Sequence, residues 1–148
     1  FVIGATNTFS KKYYQSFIKE KNVALVFNET YGLLSNAKAA IITSGTATLE
    51  AALFKVPQVV CYKTNWLTYI IAKNLIKIEH LSLVNILLNK VVVKELIQKE
   101  LNKKNLKVEL NILLNKREKI LTDYARLSIL LNKKGASKNT AEFILSTI

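Results

Sequence analysis

Ile41-Ile42-Thr43-Ser44-Gly45-Thr46-Ala47-Thr48-Leu49-Glu50 is the stretch whose reading decides the fold. The apolar run from Ala39 to Ile42 reads as a buried strand. Small hydroxylated residues and one Gly follow, and then Ala47-Thr48-Leu49-Glu50-Ala51-Ala52-Leu53, a strong helix former. A strand therefore delivers the chain into a helix N-terminus lined by hydroxyls and a Gly backbone. Such a terminus offers unpaired N–H groups and the positive end of the helix dipole to an anion. Glu50 sits about one turn inside, placed to reach past phosphates to a ribose. In outline this is a nucleotide-diphosphate site. The same pattern also fits an ordinary capped helix after a core strand, and the local residues alone do not separate the two.

Working outward, the first sixty residues alternate between strand-like and helix-like segments. Phe1–Ala5, Val23–Phe27, Ala39–Thr43 and Gln58–Tyr62 read as strands, the last just after the lone Pro57. Ser10–Glu20 (with Ser10 as N-cap), Tyr31–Ala37 and Thr46–Phe54 read as helices. Short, continuous, apolar strands separated by helices indicate a parallel sheet covered on both faces. Ligands of such sheets bind at the carboxyl ends of the strands. Ser44-Gly45-Thr46 lies at one of those ends, and Thr6 and Asn7 end the first strand.

After Tyr62 the character changes. Trp66–Lys77 reads as an amphipathic helix and Ile78–Asn89 as irregular. Val92–Leu101, Lys104–Leu114, Arg117–Leu131 and Asn139–Thr147 read as helices, with a turn at Lys133–Ser137. The expected class is α/β, a Rossmann-like parallel sheet with a helical C-terminal extension. Residues 1–63 form the core that carries this outlined nucleotide site, and residues 64–148 the extension of the same domain.

Composition narrows the function. The chain has 148 residues, enough for one domain with a real core. It lacks Met and begins inside an apolar run, and we read it as a piece of a longer protein starting at or near a strand. No uninterrupted apolar stretch of about 18 residues is present to span a membrane. The single cysteine, Cys61, excludes an internal disulfide, and its apolar neighbours mark it as structural. The net charge of +12 comes almost wholly from Lys, since only Arg117 and Arg126 are Arg. Lys, Asn and Ile are abundant together and no basic run exceeds a pair, so nucleic acid is not expected as a partner. His80 is the sole His and Asp123 the sole Asp, which argues against metal sites and Ser-His-Asp chemistry. His80 reads as a surface or loop residue.

Several ordered blocks together resemble the C-terminal part of the lipid-A-disaccharide synthase family, inverting glycosyltransferases with two Rossmann-type halves (the GT-B type). The blocks are Ser44-Gly45-Thr46-Ala47-Thr48-Leu49-Glu50, Pro57-Gln58-Val59-Val60-Cys61-Tyr62-Lys63, Ala72-Lys73 with Lys77, Ser82-Leu83-Val84-Asn85-Ile86-Leu87, and Val93-Lys94-Glu95-Leu96-Ile97-Gln98. The resemblance spans essentially the whole chain. This sequence departs from the family in carrying Val84 where Pro is usual and Cys61 where Gly is frequent. Neither change removes a polar group. The family's N-terminal half, its Pro-Gly-Ser-Arg loop and its catalytic carboxylate have no counterpart here, so no catalytic residue is expected in these 148 residues and the isolated piece is expected to be inactive.

The resemblance implies transfer of 2,3-diacylglucosamine from UDP-2,3-diacylglucosamine to 2,3-diacylglucosamine 1-phosphate, with UDP released and no cofactor or metal required. It implies that Ser44, Gly45 and Thr46 hold the UDP phosphates and that Glu50 accepts hydrogen bonds from the ribose. Thr48 is a further hydroxyl for the site or a back-bonded helix residue. Tyr62 and Lys63 end a strand on the binding edge, to shape the pocket and balance charge; a solvated Lys fits as well. Asn85, a polar residue among apolar ones, is a further substrate contact or a turn or helix cap. Trp66–Lys77 reads equally as a membrane-facing element or a core helix. The implied location is the cytoplasmic side of a Gram-negative inner membrane, with the membrane surface as partner. A homo-oligomer is open. Alternatives are another enzyme of the same architecture, such as a peptidoglycan-precursor glycosyltransferase or a nucleotide-sugar epimerase, and a non-enzymatic helical interaction module.

Overall fold

The continuous apolar runs become short parallel strands, and the segments between them become helices. The structure, a computed structural model, describes residues 1–75, 79–132 and 135–147. The chain divides into two units, Phe1–Lys38 and Ala39–Ile148.

In the first unit β1 (Val2–Ala5) pairs in parallel with β2 (Ala24–Phe27), Val2 opposite Ala24 and Ala5 opposite Phe27. Helix α1 (Lys11–Gln15) starts at Ser10, whose side chain accepts from the Tyr13 N–H at 3.3 Å. It stops five residues before the expected Glu20. The Ser16 hydroxyl donates to the Tyr13 carbonyl at 2.6 Å, and the Phe17 and Ile18 N–H groups bond three residues back, which tightens the chain into a turn. Helix α2 (Thr30–Asn36) lies close to β1, where a Cβ on Gly4 would come within 3.1 Å of Leu33.

In the second unit β3 (Ala40–Thr43), β4 (Gln58–Tyr62) and β5 (Lys94–Ile97) form a parallel sheet in the order β3-β4-β5. Helices α3 (Ala47–Leu53), α4 (Trp66–Leu75), α5 (Leu83–Leu88), α6 (Lys103–Asn115), α7 (Arg117–Leu131) and α8 (Ala136–Thr147) accompany it. Central strand β4 is buried from Gln58 to Cys61, as its apolar run Val59-Val60-Cys61 requires. Helix α3 packs on β3 and β4 and against α5 and α7, while α6 packs on β4 and β5. The core joins Ala52, Val59, Val60, Val84, Val93, Leu96, Leu113, Ile120, Tyr124 and Leu127. No helix among the described residues is long and apolar enough to cross a membrane.

This is the expected α/β, Rossmann-like class with a helical C-terminal region. Two local expectations are corrected. Val92–Leu101 is not a helix: Lys94–Ile97 is a strand and Gln98–Glu100 a 3-10 turn. Pairing with β4 along Val59–Tyr62 overrides the helical propensity of Lys94, Glu95 and Leu96. Nor is the whole of Ile78–Asn89 irregular. Ser82 caps α5 by accepting from the Asn85 N–H at 3.2 Å, and Asn89 closes it in a left-handed conformation. Helix α8 starts at Ala136, three residues before the expected Asn139. The expected helix end at Ile76 and Lys77 lies outside the described residues, as do Ile78 and the start of the expected turn, Lys133-Lys134.

Candidate functional site

The parallel register gathers the carboxyl ends of β3, β4 and β5 on one edge of the second sheet. Thr43 lies opposite Cys61, and Tyr62 opposite Ile97. Ser44, Lys63 and Gln98 are therefore the first residues beyond three neighbouring strands.

The turn from β3 into α3 is held from within. Gly45 has φ +147°, a conformation L side chains seldom adopt, although a Cβ there would meet no atom within 4 Å. Backbone conformation, not space, demands Gly. The Gly45 carbonyl accepts from the Thr48 N–H at 3.1 Å and from the Thr48 hydroxyl at 2.8 Å. Thr48 is fully buried, so its hydroxyl shapes the turn and is turned away from solvent. Thr46 is exposed at the N-cap position and makes no side-chain capping bond. Its hydroxyl is left out of the helix start. Glu50 is half-buried in the first turn of α3, where a carboxylate complements the helix dipole.

Ser44 ties this turn to the approach to α5. Its hydroxyl donates to the Leu81 carbonyl at 2.9 Å. The Leu81 N–H in turn donates to Glu95 Oε2 at 2.9 Å, and the Ser82 N–H to Glu95 Oε1 at 2.8 Å. Glu95, on β5, thus supplies the acceptors that a helix start needs. Asn85 completes the network. Its Nδ2 donates to the Val93 carbonyl and to Glu95 Oε1, both at 2.9 Å. Its Oδ1 accepts from the Val92 and Val93 N–H groups at 2.8 and 3.0 Å. All four hydrogen-bonding positions of this amide are filled from within the chain, and Asn85 is 1% exposed.

Behind the turn, Gln58 Nε2 donates to the Thr48 carbonyl at 2.8 Å and to the Tyr124 hydroxyl at 3.2 Å. Both residues are buried. Burial pushes the Tyr124 hydroxyl up to about 12, against the lowering effect of its bonds to Gln58. Burial likewise pushes up the thiol of Cys61, in β4.

Tyr62 and Lys63 are exposed at the end of β4. Beyond them Thr64 is clasped by Gln98, whose Oε1 accepts from the Thr64 N–H at 3.0 Å and whose Nε2 donates to the Thr64 carbonyl at 3.1 Å. Of the expected site residues, Ser44, Gly45, Thr46, Glu50, Tyr62 and Lys63 lie on or beside this edge with accessible atoms, while Thr48 and Asn85 are enclosed. Thr6 and Asn7 follow β1 in the first unit, where the Thr6 hydroxyl bonds Thr8 at 3.0 Å. Sequence reasoning missed Gln58, Glu95 and Gln98 as framing residues. Gln58, a polar side chain at the head of an otherwise apolar strand, was the one available signal.

The family model described as lipid-A-disaccharide synthetase matches residues 3–147. The lipid-A-disaccharide synthase of Syntrophus aciditrophicus is 34% identical over 154 residues, covering 100% of this chain and 40% of that protein. The synthase of Anaeromyxobacter dehalogenans is 36% identical over 129 residues, 85% of this chain and 34% of that protein. In Acinetobacter baylyi a synthase is 54% identical over 74 residues, 50% of this chain and 19% of that protein. The chain thus spans 40% or less of the length of these curated relatives. A match over nearly every residue, reaching both the Ser44–Glu50 turn and the Ser82–Gln98 network, places this chain in the lipid-A-disaccharide synthetase family.

Proposed function

We infer that this chain is the nucleotide-sugar-binding part of a glycosyltransferase of lipid A biosynthesis, an inverting enzyme. It would bind UDP-2,3-diacylglucosamine while the sugar passes to 2,3-diacylglucosamine 1-phosphate at the cytoplasmic membrane surface. The observation that carries this reading is the family match over residues 3–147.

The geometry of the edge supports it. Exposed backbone at Gly45 and Thr46, the Thr46 hydroxyl and the positive end of α3 suit the departing diphosphate. Glu50 suits the ribose hydroxyls. Lys63 supplies a positive charge and Tyr62 a wall. Ser44 both joins the turn to Leu81 and keeps lone pairs for a ligand N–H or O–H. Thr48 and Asn85 serve by holding the shape of the turn and of the α5 approach. In an inverting transfer the acceptor hydroxyl attacks the anomeric carbon as the bond to the UDP oxygen breaks. The charge developing on that diphosphate is what this edge would stabilise. The base that takes the acceptor proton is not among the residues assigned here.

Calorimetric titration of UDP tests the reading, with Glu50→Ala as the control. Binding by the wild-type chain with an affinity loss of about tenfold in Glu50→Ala, the worth of one charge-assisted hydrogen bond, is the expected result. Binding that Glu50→Ala leaves unchanged removes the ribose role. Full tolerance of both Ser44→Ala and Glu50→Ala favours the interaction-module alternative.

A further inference from the structure

Gln98 is where β5 ends and the backbone turns into the 3-10 segment with φ +49°. Residues with a Cβ seldom adopt that conformation. The turn carries the Gln98 main chain away from β4, and the ladder's last paired residues are Tyr62 and Ile97. The Gln98 side chain then takes over, accepting from the Thr64 N–H and donating to the Thr64 carbonyl at 3.0 and 3.1 Å. One side-chain amide reproduces both halves of a strand pairing. A carboxylate of the same length could only accept.

Lys63 therefore lies between two fixed residues, Tyr62 on the backbone ladder and Thr64 on the side-chain clamp. Lys63 itself is exposed. The direction in which its side chain leaves the backbone is set by its neighbours' hydrogen bonds. A long cationic side chain rooted in fixed backbone loses less freedom on meeting an anion than one rooted in a mobile loop. We propose that Gln98 is a positioning residue that aims Lys63 from the carboxyl edge of the sheet at the diphosphate of the bound nucleotide sugar, an inference that rests on the UDP reading above.

Two measurements on the 148-residue chain test it. The first is hydrogen exchange at the Thr64 amide without ligand, in wild type, Gln98→Gly and Gln98→Asn. Gly accepts the left-handed φ and deletes the clamp; Asn tolerates that φ and is one methylene too short. Thr64 exchange should rise by about tenfold or more in both, the worth of one lost hydrogen bond, with Val59 and Val60 unchanged. The second is UDP affinity across Lys63→Gln, Gln98→Gly and the double variant. Each single change should weaken UDP by about tenfold, and the double variant no more than Gln98→Gly alone.

Unchanged Thr64 exchange overturns the clamp. Additive losses in the cycle overturn the coupling to Lys63. A wild-type chain that binds no UDP overturns the nucleotide reading and the aim of Lys63 with it. The Thr64 measurement needs no ligand, so that failure is separable from failure of the clamp.

Discussion

Asn85 donates its side-chain amide to Glu95 across 2.9 Å, joining α5 to β5 through two polar side chains set among apolar ones. Asn85 also takes the Val92 and Val93 N–H groups. Removing it strands those donors, the Val93 carbonyl and part of the Glu95 carboxylate. Asn85→Ala should lower the unfolding free energy by about 3 kcal/mol in urea, since buried groups are left unsatisfied. Asn85→Asp should fare no better at neutral pH, because a second carboxylate would face Glu95. A loss under about 0.5 kcal/mol, the level of an ordinary surface change, would count against this framing role.

Much of the fold was legible because β1 to β4 are short apolar runs between helices, although only β4 is buried along most of its length and Ile41 of β3, expected inside, is 46% exposed. Gln58–Tyr62 was read with its true ends, and β1, β2 and β3 to within one residue at their starts. Helices α3, α6 and α7 were legible from their apolar period and helix-forming composition. The strand at Lys94–Ile97 was not legible. Four residues beginning Lys-Glu fit a helix as well, and the deciding contacts come from Val59–Tyr62, 35 residues upstream. Helix α5 was missed because six residues carry too little period, although Ser82 three residues before Asn85 was a readable cap. The Ser44–Thr46 segment was legible as a strand-to-helix turn because its signals are local. The Gln58, Glu95 and Gln98 contacts were not, since each acts on backbone 10 to 34 residues away in sequence.

Gly45→Ala separates conformational from steric demand at the turn. Open space around the Cβ means nothing needs to move aside. The φ of +147° still penalises Ala by about 1–3 kcal/mol. We expect relaxation toward a commoner backbone conformation, little change in the core, and loss of UDP binding at the reoriented turn. Chemical-shift changes confined to Ser44–Thr48 would match. Changes spread through β4 would show instead that the turn supports the sheet.

Lys90 and Asp123 form an ion pair at 2.5 Å, with the Asp123 side chain only 12% exposed. The second cation, Arg126, is 3.8 Å away and largely exposed. Lys90→Ala should therefore cost more than a surface salt bridge does, about 2 kcal/mol, because a mostly buried carboxylate loses its near partner. Arg126→Ala should cost under about 0.5 kcal/mol. Equal losses in urea unfolding would contradict this ranking.

Tyr124 gives the chain a specific alkaline weakness. Its hydroxyl ionises at about 12 in the folded chain, against an ordinary value of 10.0, because burial disfavours the charged form. The unfolded state therefore releases this proton first. The stability tied to neutral Tyr124 is fully present below pH 10 and is lost as pH rises from 10 toward 12. Two pH units at about 1.4 kcal/mol each give a loss on the order of 3 kcal/mol. Comparison with Tyr124→Phe isolates the contribution of this hydroxyl. That variant loses the hydrogen bond from Gln58, about 1 kcal/mol at neutral pH. It should then lose less than the wild type between pH 10 and 12, so that the two stability curves converge or cross. Parallel curves over that window would mean that the Tyr124 hydroxyl reaches solvent and does not close the core behind the Thr48 turn.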